Sequence, residues 1–388
     1  MTRLFKLISL TFLACLAWGP ALAQQHVVTV NPPSPKSYEA FTVTVTGPYA
    51  GNFAVNPDVS VNAISGEMVI DMRGTCGGPC TGFSTRSISI NYPGPLPPRD
   101  YTLNVVLNAN DPFFGQRAST QFTVTALPNY QGLWWKPSES GWGLQITHQG
   151  NTLFVAWFTY DDQGRPTWFV APNVVKTGDT TYTGTLYRTT ALPSQVQGET
   201  FQTVASSSIT PAGNISLTFD GLSNATYTYN VDGVQQTKAI TRQAFSTVPI
   251  CYSSADIPSN NFTDLWWQYP AGSVPGWGLI LSQQGGTMFM TIFGYDKDGR
   301  PSWLVASNMR ITVANPLKFY GPLYRATGAP FRTSPWPSSS VSLTEVGMTE
   351  FIGPQPDVAR FSLEMNFGRI EIPILREVFA GPLTRCGP

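Results

Sequence analysis

The stretch Phe158-Thr159-Tyr160-Asp161-Asp162-Gln163-Gly164-Arg165-Pro166-Thr167-Trp168-Phe169-Val170-Ala171 returns as Phe293-Gly294-Tyr295-Asp296-Lys297-Asp298-Gly299-Arg300-Pro301-Ser302-Trp303-Leu304-Val305-Ala306. Working outward, Asn129-Tyr130-Gln131-Gly132-Leu133-Trp134-Trp135 is answered by Asn261-Phe262-Thr263-Asp264-Leu265-Trp266-Trp267. Gly141-Trp142-Gly143-Leu144 is answered by Gly276-Trp277-Gly278-Leu279, and Gly184-Thr185-Leu186-Tyr187-Arg188 by Gly321-Pro322-Leu323-Tyr324-Arg325. Arg242 and Phe245 close the first copy as Arg376 and Phe379 close the second. Matches in one order at a nearly constant offset mean two copies of one domain, 128–248 and 249–388.

Each copy reads as a β-meander. In the first, strands are expected at 141–148, 152–160, 166–175, 181–188, 200–209, 214–220, 225–231 and 237–245. Eight strands with short links suggest a closed up-and-down barrel, since closure removes sheet edges; a two-sheet sandwich is the alternative. Asp161 to Pro166 and Asp296 to Pro301 read as hairpin turns, with Asp bonding the turn backbone, Gly taking positive φ and Pro opening the next strand. Phe154, Phe158 and Tyr160 share one face of their strand, while Leu153, Val155 and Trp157 make the other face apolar as well. A strand with one wet face alternates apolar with polar. The outer face is therefore expected to be covered, most simply by the other repeat, by the sandwich domain or by a second chain, and the two copies are expected to pack together.

Upstream, Arg3 and Lys6, the apolar run Leu7 to Trp18 and Ala21-Leu22-Ala23 read as a signal peptide over 1–23. Segment 24–127 shows seven short alternating stretches, near 27–30, 40–46, 58–63, 66–72, 86–91, 100–107 and 117–125. That is the rhythm of an immunoglobulin-like sandwich, with Tyr101 as a buried ring near a late corner. The expected fold is all-β: that sandwich followed by two homologous barrel-like domains.

Composition agrees with strands and tight turns. Among 388 residues there are 35 Gly and 33 Pro, and only 12% are charged. The formal net charge is zero, with 23 basic and 23 acidic residues, so neither nucleic acid nor an anionic surface is an expected partner. No segment offers the ~20 uninterrupted apolar residues of a membrane helix. Four cysteines remain after the signal, Cys76, Cys80, Cys251 and Cys386, and they allow three pairings. Cys76 and Cys80 suit a small CGGPC loop. Cys251 and Cys386 bracket the second repeat, a closure contributing up to ~5 kcal/mol by loop entropy.

The WWxPxESGWG and YDxxGRPxW patterns resemble a module of secreted proteobacterial proteins, where it follows an immunoglobulin-like domain or a secreted enzyme, often in tandem. That resemblance spans essentially the whole mature chain and implies a secreted protein, periplasmic or extracellular, but no particular activity. The meander is also similar in architecture to avidin and lipocalins, an analogy of fold alone.

Candidate ligand-binding residues are the repeated aromatics: Trp135, Trp142, Trp168 and Tyr187, with Trp267, Trp277, Trp303 and Tyr324 in the second copy. They serve either as core or as a surface for a glycan or apolar small molecule. The glycines flanking Trp142 are expected to let a flat ligand approach, and Arg165 and Arg300 to stack on nearby rings. The catalytic inventory is thin. There are two histidines, His26 and His148, and no nucleophile, phosphate-loop or metal-spaced motif, so no cofactor or metal is expected. Glu139, which with Ser140 has no counterpart in the Tyr269–Pro275 stretch, is the one residue on which a glycoside-type hydrolase reading rests. The expected function is non-catalytic binding; a structural or adhesive scaffold with protein partners or self-association is the alternative.

Overall fold

The computed structural model describes residues 26–387 apart from 38, 50–52, 63–64, 77–81, 83, 94–95, 97, 108–116, 126, 192–206, 254–258, 274–275, 315 and 367. The signal peptide and the Cys76–Cys80 pairing lie outside the described residues. The described chain is made of strands, with two three-residue 3-10 turns, Pro137–Glu139 and Ser338–Ser340. No helix in it is long and apolar enough to cross a membrane.

Two compact units emerge: 26–35, 40–94 and 99–124 form the first, and 36–39, 95–98 and the chain from 125 onward form the second. The first unit holds seven strands: β1 (Val27–Asn31), β2 (Phe41–Tyr49), β3 (Phe53–Asn62), β4 (Glu67–Cys76), β5 (Ser84–Tyr92), β6 (Arg99–Leu107) and β7 (Arg117–Val124). They form a three-stranded sheet, β1-β2-β5, and a four-stranded sheet, β3-β4-β6-β7, in which β4 and β6 run parallel. Alternation sets the core: Val43 and Val45 are buried on one sheet, Met68, Ile70, Leu103 and Val105 on the other. Phe41 meets Phe122 across the sheets with ring centroids 5.4 Å apart, and Tyr101 stacks on Phe122.

The second unit contains both repeats as closed eight-stranded antiparallel barrels. Barrel 1 comprises β8 (Gly132–Trp135), β9 (Gly143–Gln149), β10 (Thr152–Tyr160), β11 (Pro166–Lys176), β12 (Thr181–Ala191), β13 (Ser207–Asp220), β14 (Asn224–Val231) and β15 (Val234–Arg242). A short strand β16 (Ile250–Ser253) follows. Barrel 2 comprises β17 (Asp264–Gln268), β18 (Gly278–Gln284), β19 (Thr287–Tyr295), β20 (Pro301–Ala314), β21 (Leu317–Thr327), β22 (Ser342–Gly353), β23 (Val358–Met365) and β24 (Gly368–Arg376), with β25 (Thr384–Gly387) at the end. In each barrel every strand pairs with its chain neighbours, and the last strand closes on the first. β16 pairs with β25 so that Cys251 faces Cys386, and the two are disulfide-bonded.

Eight strands were expected in barrel 1, but not with these bounds. The expected set lacks the Trp134-Trp135 strand and divides one long strand, β13, in two. The reason is Pro211-Ala212-Gly213, which mimics a turn but forms a bulge opposite Leu186 and Tyr187. Gly213 has φ +155°, and a Cβ there would overlap the Asn230 carbonyl. Gly347 repeats the device, φ +157°, opposite Leu323 and Tyr324.

The expected cover on the outer faces of β10 and β19 is the other barrel, and the arrangement is reciprocal. Trp168 donates its indole N–H to the Gly294 carbonyl at 2.9 Å, and Trp303 donates to the matching Thr159 carbonyl at 3.1 Å. Phe158 packs against Trp303, as Phe293 packs against Trp168. The segments after the last strands are exchanged too. Phe245 and Ser246 donate backbone N–H groups to Gln284 Oε1, while Phe379 and Ala380 donate to Gln149 Oε1. The hairpin turns behave as expected: Asp161 Oδ1 accepts from the Gln163 and Arg165 N–H groups, and Asp296 Oδ1 from those of Asp298 and Arg300. Arg165 and Arg300 grip these same aspartates with Nε at 2.8 Å instead of stacking on rings, because a charge-assisted bond within the turn is already in reach.

Candidate functional site between the barrels

Beside the barrel–barrel contact the two outer surfaces part to leave a cleft of about 220 Å³. Trp135, Trp142 and Trp303 are among its walls, together with Phe158, Tyr160 and Phe289. β8 explains the first of these. Successive side chains of a strand point to opposite faces, so Trp134 fills the lumen at 0% exposure while Trp135 turns outward, half-buried, into the cleft. Among the described residues no charged side chain lines the cleft; its polar groups include Ser140, Gln145, Gln243, Thr291 and Ser307. Gln145 Nε2 donates to the Ile280 carbonyl at 3.3 Å, which leaves Oε1 buried without a partner. An unpaired buried acceptor costs roughly 1–3 kcal/mol, so a donor supplied there by a ligand is favourable.

The other candidate aromatics do not line this cleft. Trp168 and Trp277 are buried at 3% and 4% exposure, the first in the barrel contact. Tyr187, Trp267 and Tyr324 are half-buried. Trp142 and Trp303 are also buried, at 6% and 5%, and present only part of a ring to the cleft. The glycines around Trp142 do not clear a path for a ligand as expected. Gly141, φ +124°, lies where a Cβ would overlap Val341 and crowd Trp336, so the space is taken by the second repeat.

Behind Trp142 lies the mouth of barrel 1. The 3-10 turn Pro137–Glu139 lowers Glu139 against Lys238, which points inward from β15. Glu139 Oε2 accepts from Lys238 Nζ at 2.6 Å and from Trp142 Nε1 at 3.2 Å, and Oε1 accepts from Lys136 Nζ at 2.8 Å. Burial pushes the Glu139 carboxyl up, but the hydrogen bonds and charges of Lys136 and Lys238 outweigh it and hold it below its ordinary range. Lys238, 99 residues away from Glu139 in sequence, had no marker beyond its place in a strand. Gln145 and Gln243 were likewise missed; the doubly apolar strand beside them was the one signal that a buried surface ran here.

No family model, curated protein or solved structure matches the chain.

Proposed function

We propose that this is an exported, non-catalytic binding protein that holds a small neutral molecule, either a sugar ring or an apolar ring compound, in the cleft between its barrels. The observation that carries this reading is the uncharged aromatic lining around the unpartnered Gln145 Oε1. Ligand sites combine apolar walls with a few fixed polar groups, and drug-sized ones enclose roughly 300–1,000 Å³. At about 220 Å³ this cleft suits a single ring. The Cys251–Cys386 bond supports an oxidising compartment, hence export. The full engagement of both Glu139 oxygens, in a carboxylate kept ionised, speaks against its use as a catalytic acid. Seven strands in two packed sheets support an immunoglobulin-like reading of the first unit, in a variant with a parallel β4–β6 pair.

The test is titration of the full chain with neutral glycans and apolar ring compounds, read by indole fluorescence. Trp135→Ala and Gln145→Leu are each expected to weaken binding about tenfold, which is ~1.4 kcal/mol. Silence across both panels sinks the reading and favours a scaffold, for which the burial of Trp142, Trp168, Trp277 and Trp303 already argues.

A further inference from the structure

Besides Trp142, two side chains that fill the mouth of barrel 1 come from outside its strands. One is Glu139, delivered by the 3-10 turn. The other is Phe331, from the segment after β21 of the second repeat. Its ring stands edge-on to Trp157 at 5.6 Å and to Phe169 at 5.5 Å. Its N–H donates to the Tyr160 carbonyl at 3.0 Å, and Tyr229 Oη donates to its carbonyl at 3.1 Å. The mouth thus receives one carboxylate and one phenyl ring.

Filling the lumen at this level does not require an ion pair. Barrel 2 places Ile292, Leu304, Phe361, Leu363 and Ile372 at the positions of Trp157, Phe169, Tyr227, Tyr229 and Lys238, as the strand registers show. A buried ion pair is seldom more stable than a well-packed apolar pair of similar volume. Barrel 1 also carries unused hydrogen-bonding capacity next to the pair: Trp157 Nε1 and Tyr227 Oη are buried without a partner. These rings are continuous with the mouth, since Tyr227 lies 6.5 Å from Trp142 and 5.8 Å from Trp157.

We propose that the mouth of barrel 1 is a binding site for a small aromatic carboxylic acid. The ligand's carboxylate takes the place of Glu139 on Lys238 and Trp142, and its ring takes the place of Phe331 against Trp157 and Phe169. Lys238 supplies the charge and Trp142 a directed N–H, which together select an anion over a neutral isostere. Glu139 and Phe331 are the internal occupants that keep the mouth closed when no ligand is present. This site shares the Trp142 ring with the neutral cleft but rests on Lys238 and the lumen rings, and either can fail without the other.

The experiment titrates the full chain with benzoate and, separately, with benzamide, following the thermal midpoint and tryptophan fluorescence. Wild type is expected to show a saturable rise in midpoint with benzoate and none with benzamide. Glu139→Ala, freed of its internal competitor, binds benzoate at least about tenfold tighter, and Lys238→Met added to it abolishes the effect. Should Glu139→Ala not fold, Glu139→Gln keeps the side-chain volume while losing the charge, and is expected to bind more tightly than wild type; equal affinity overturns the proposal. It is equally overturned by equal responses to benzoate and benzamide, by no saturable response in wild type, or by binding confined to the Glu139 variants, which indicates only a hole made by substitution.

Discussion

The two barrels share strand order, bulges, turns and reciprocal contacts, yet their lumens are built from different chemistry. Beside Trp266, barrel 2 is filled mainly by aliphatic, Met and Phe side chains: Met288, Met290, Leu304, Phe319, Phe351, Phe361 and Leu363 are all buried. Barrel 1 uses Trp157, Tyr182, Tyr227 and Tyr229, and buries Lys238 and Glu139 with them. The frame therefore depends on the alternation and the turns, and the filling is free to vary within it. A Lys–Glu pair placed where barrel 2 folds with an aliphatic side chain calls for an explanation outside folding.

The sharpest difference lies in the clasp that closes each barrel. Arg242 lies over Trp134 at 5.2 Å and donates to the carbonyls of Asn129, Gln131 and Leu222. Arg376 lies over Trp266 at 4.9 Å with the equivalent carbonyls of Asn261 and Thr263, but it also pairs with Asp264 at 2.7 Å and Asp357 at 2.9 Å. Asp264 is fully buried and stands where barrel 1 has Gly132; burial pushes its carboxyl up, opposed by Arg376. Arg376→Met strands that carboxylate, so a loss of ~3–5 kcal/mol is expected in chemical denaturation. Arg242→Met leaves only carbonyls unpaired and costs about 1–3 kcal/mol. Adding Asp264→Gly to Arg376→Met recovers part of the loss; no recovery breaks the analogy between the clasps.

A smaller effect attends the mouth of barrel 1. Lys238→Met leaves Glu139 buried with Lys136 and Trp142, and is expected to cost about 3 kcal/mol, the low end for a broken buried pair. Replacing both partners, Glu139→Leu with Lys238→Ile, imitates barrel 2 and is expected to be neutral or stabilising in the same denaturation measurement. A double variant as unstable as Lys238→Met shows that the pair is required to close this barrel.

What the sequence made legible follows from periodicity. The duplication, the meander and the hairpins at Asp161 and Asp296 are local patterns, and the covered outer faces of β10 and β19 show as a missing alternation. Lumen contacts are not local: Lys238 and Glu139 meet only once β15 curls past the 3-10 turn, and nothing in the Gln235-Gln236-Thr237-Lys238-Ala239 run announces it. The candidate indoles divide for a related reason. Trp135 and its neighbour Trp134 are separated by strand alternation, which is readable, whereas Trp168 and Trp303 are claimed by a barrel contact whose geometry no single repeat contains.

The mildest contrast is His148 against Gln283, and it isolates one proton. Both side chains accept the backbone N–H two residues before their copy's first strand: His148 Nδ1 from Tyr130 at 3.2 Å, Gln283 Oε1 from Phe262 at 3.0 Å. Burial pushes the His148 imidazole from its ordinary 6.5 down to about 4; the charges of Arg242 and Lys176 add to this, and a Gly150 backbone hydrogen bond opposes it. Between those values the unfolded chain holds a proton that the native state refuses, so stability is complete above pH 6.5 and declines as pH falls toward 4. The loss from this group reaches at most about 3 kcal/mol. His148→Gln keeps the acceptor used by the second copy and has nothing to titrate. Its stability at pH 7 is expected within about 1 kcal/mol of wild type, and in pH-dependent denaturation it shows a flatter acid limb. Parallel acid limbs for the two proteins place the acid sensitivity elsewhere and leave the imidazole as a plain substitute for the glutamine of the second barrel.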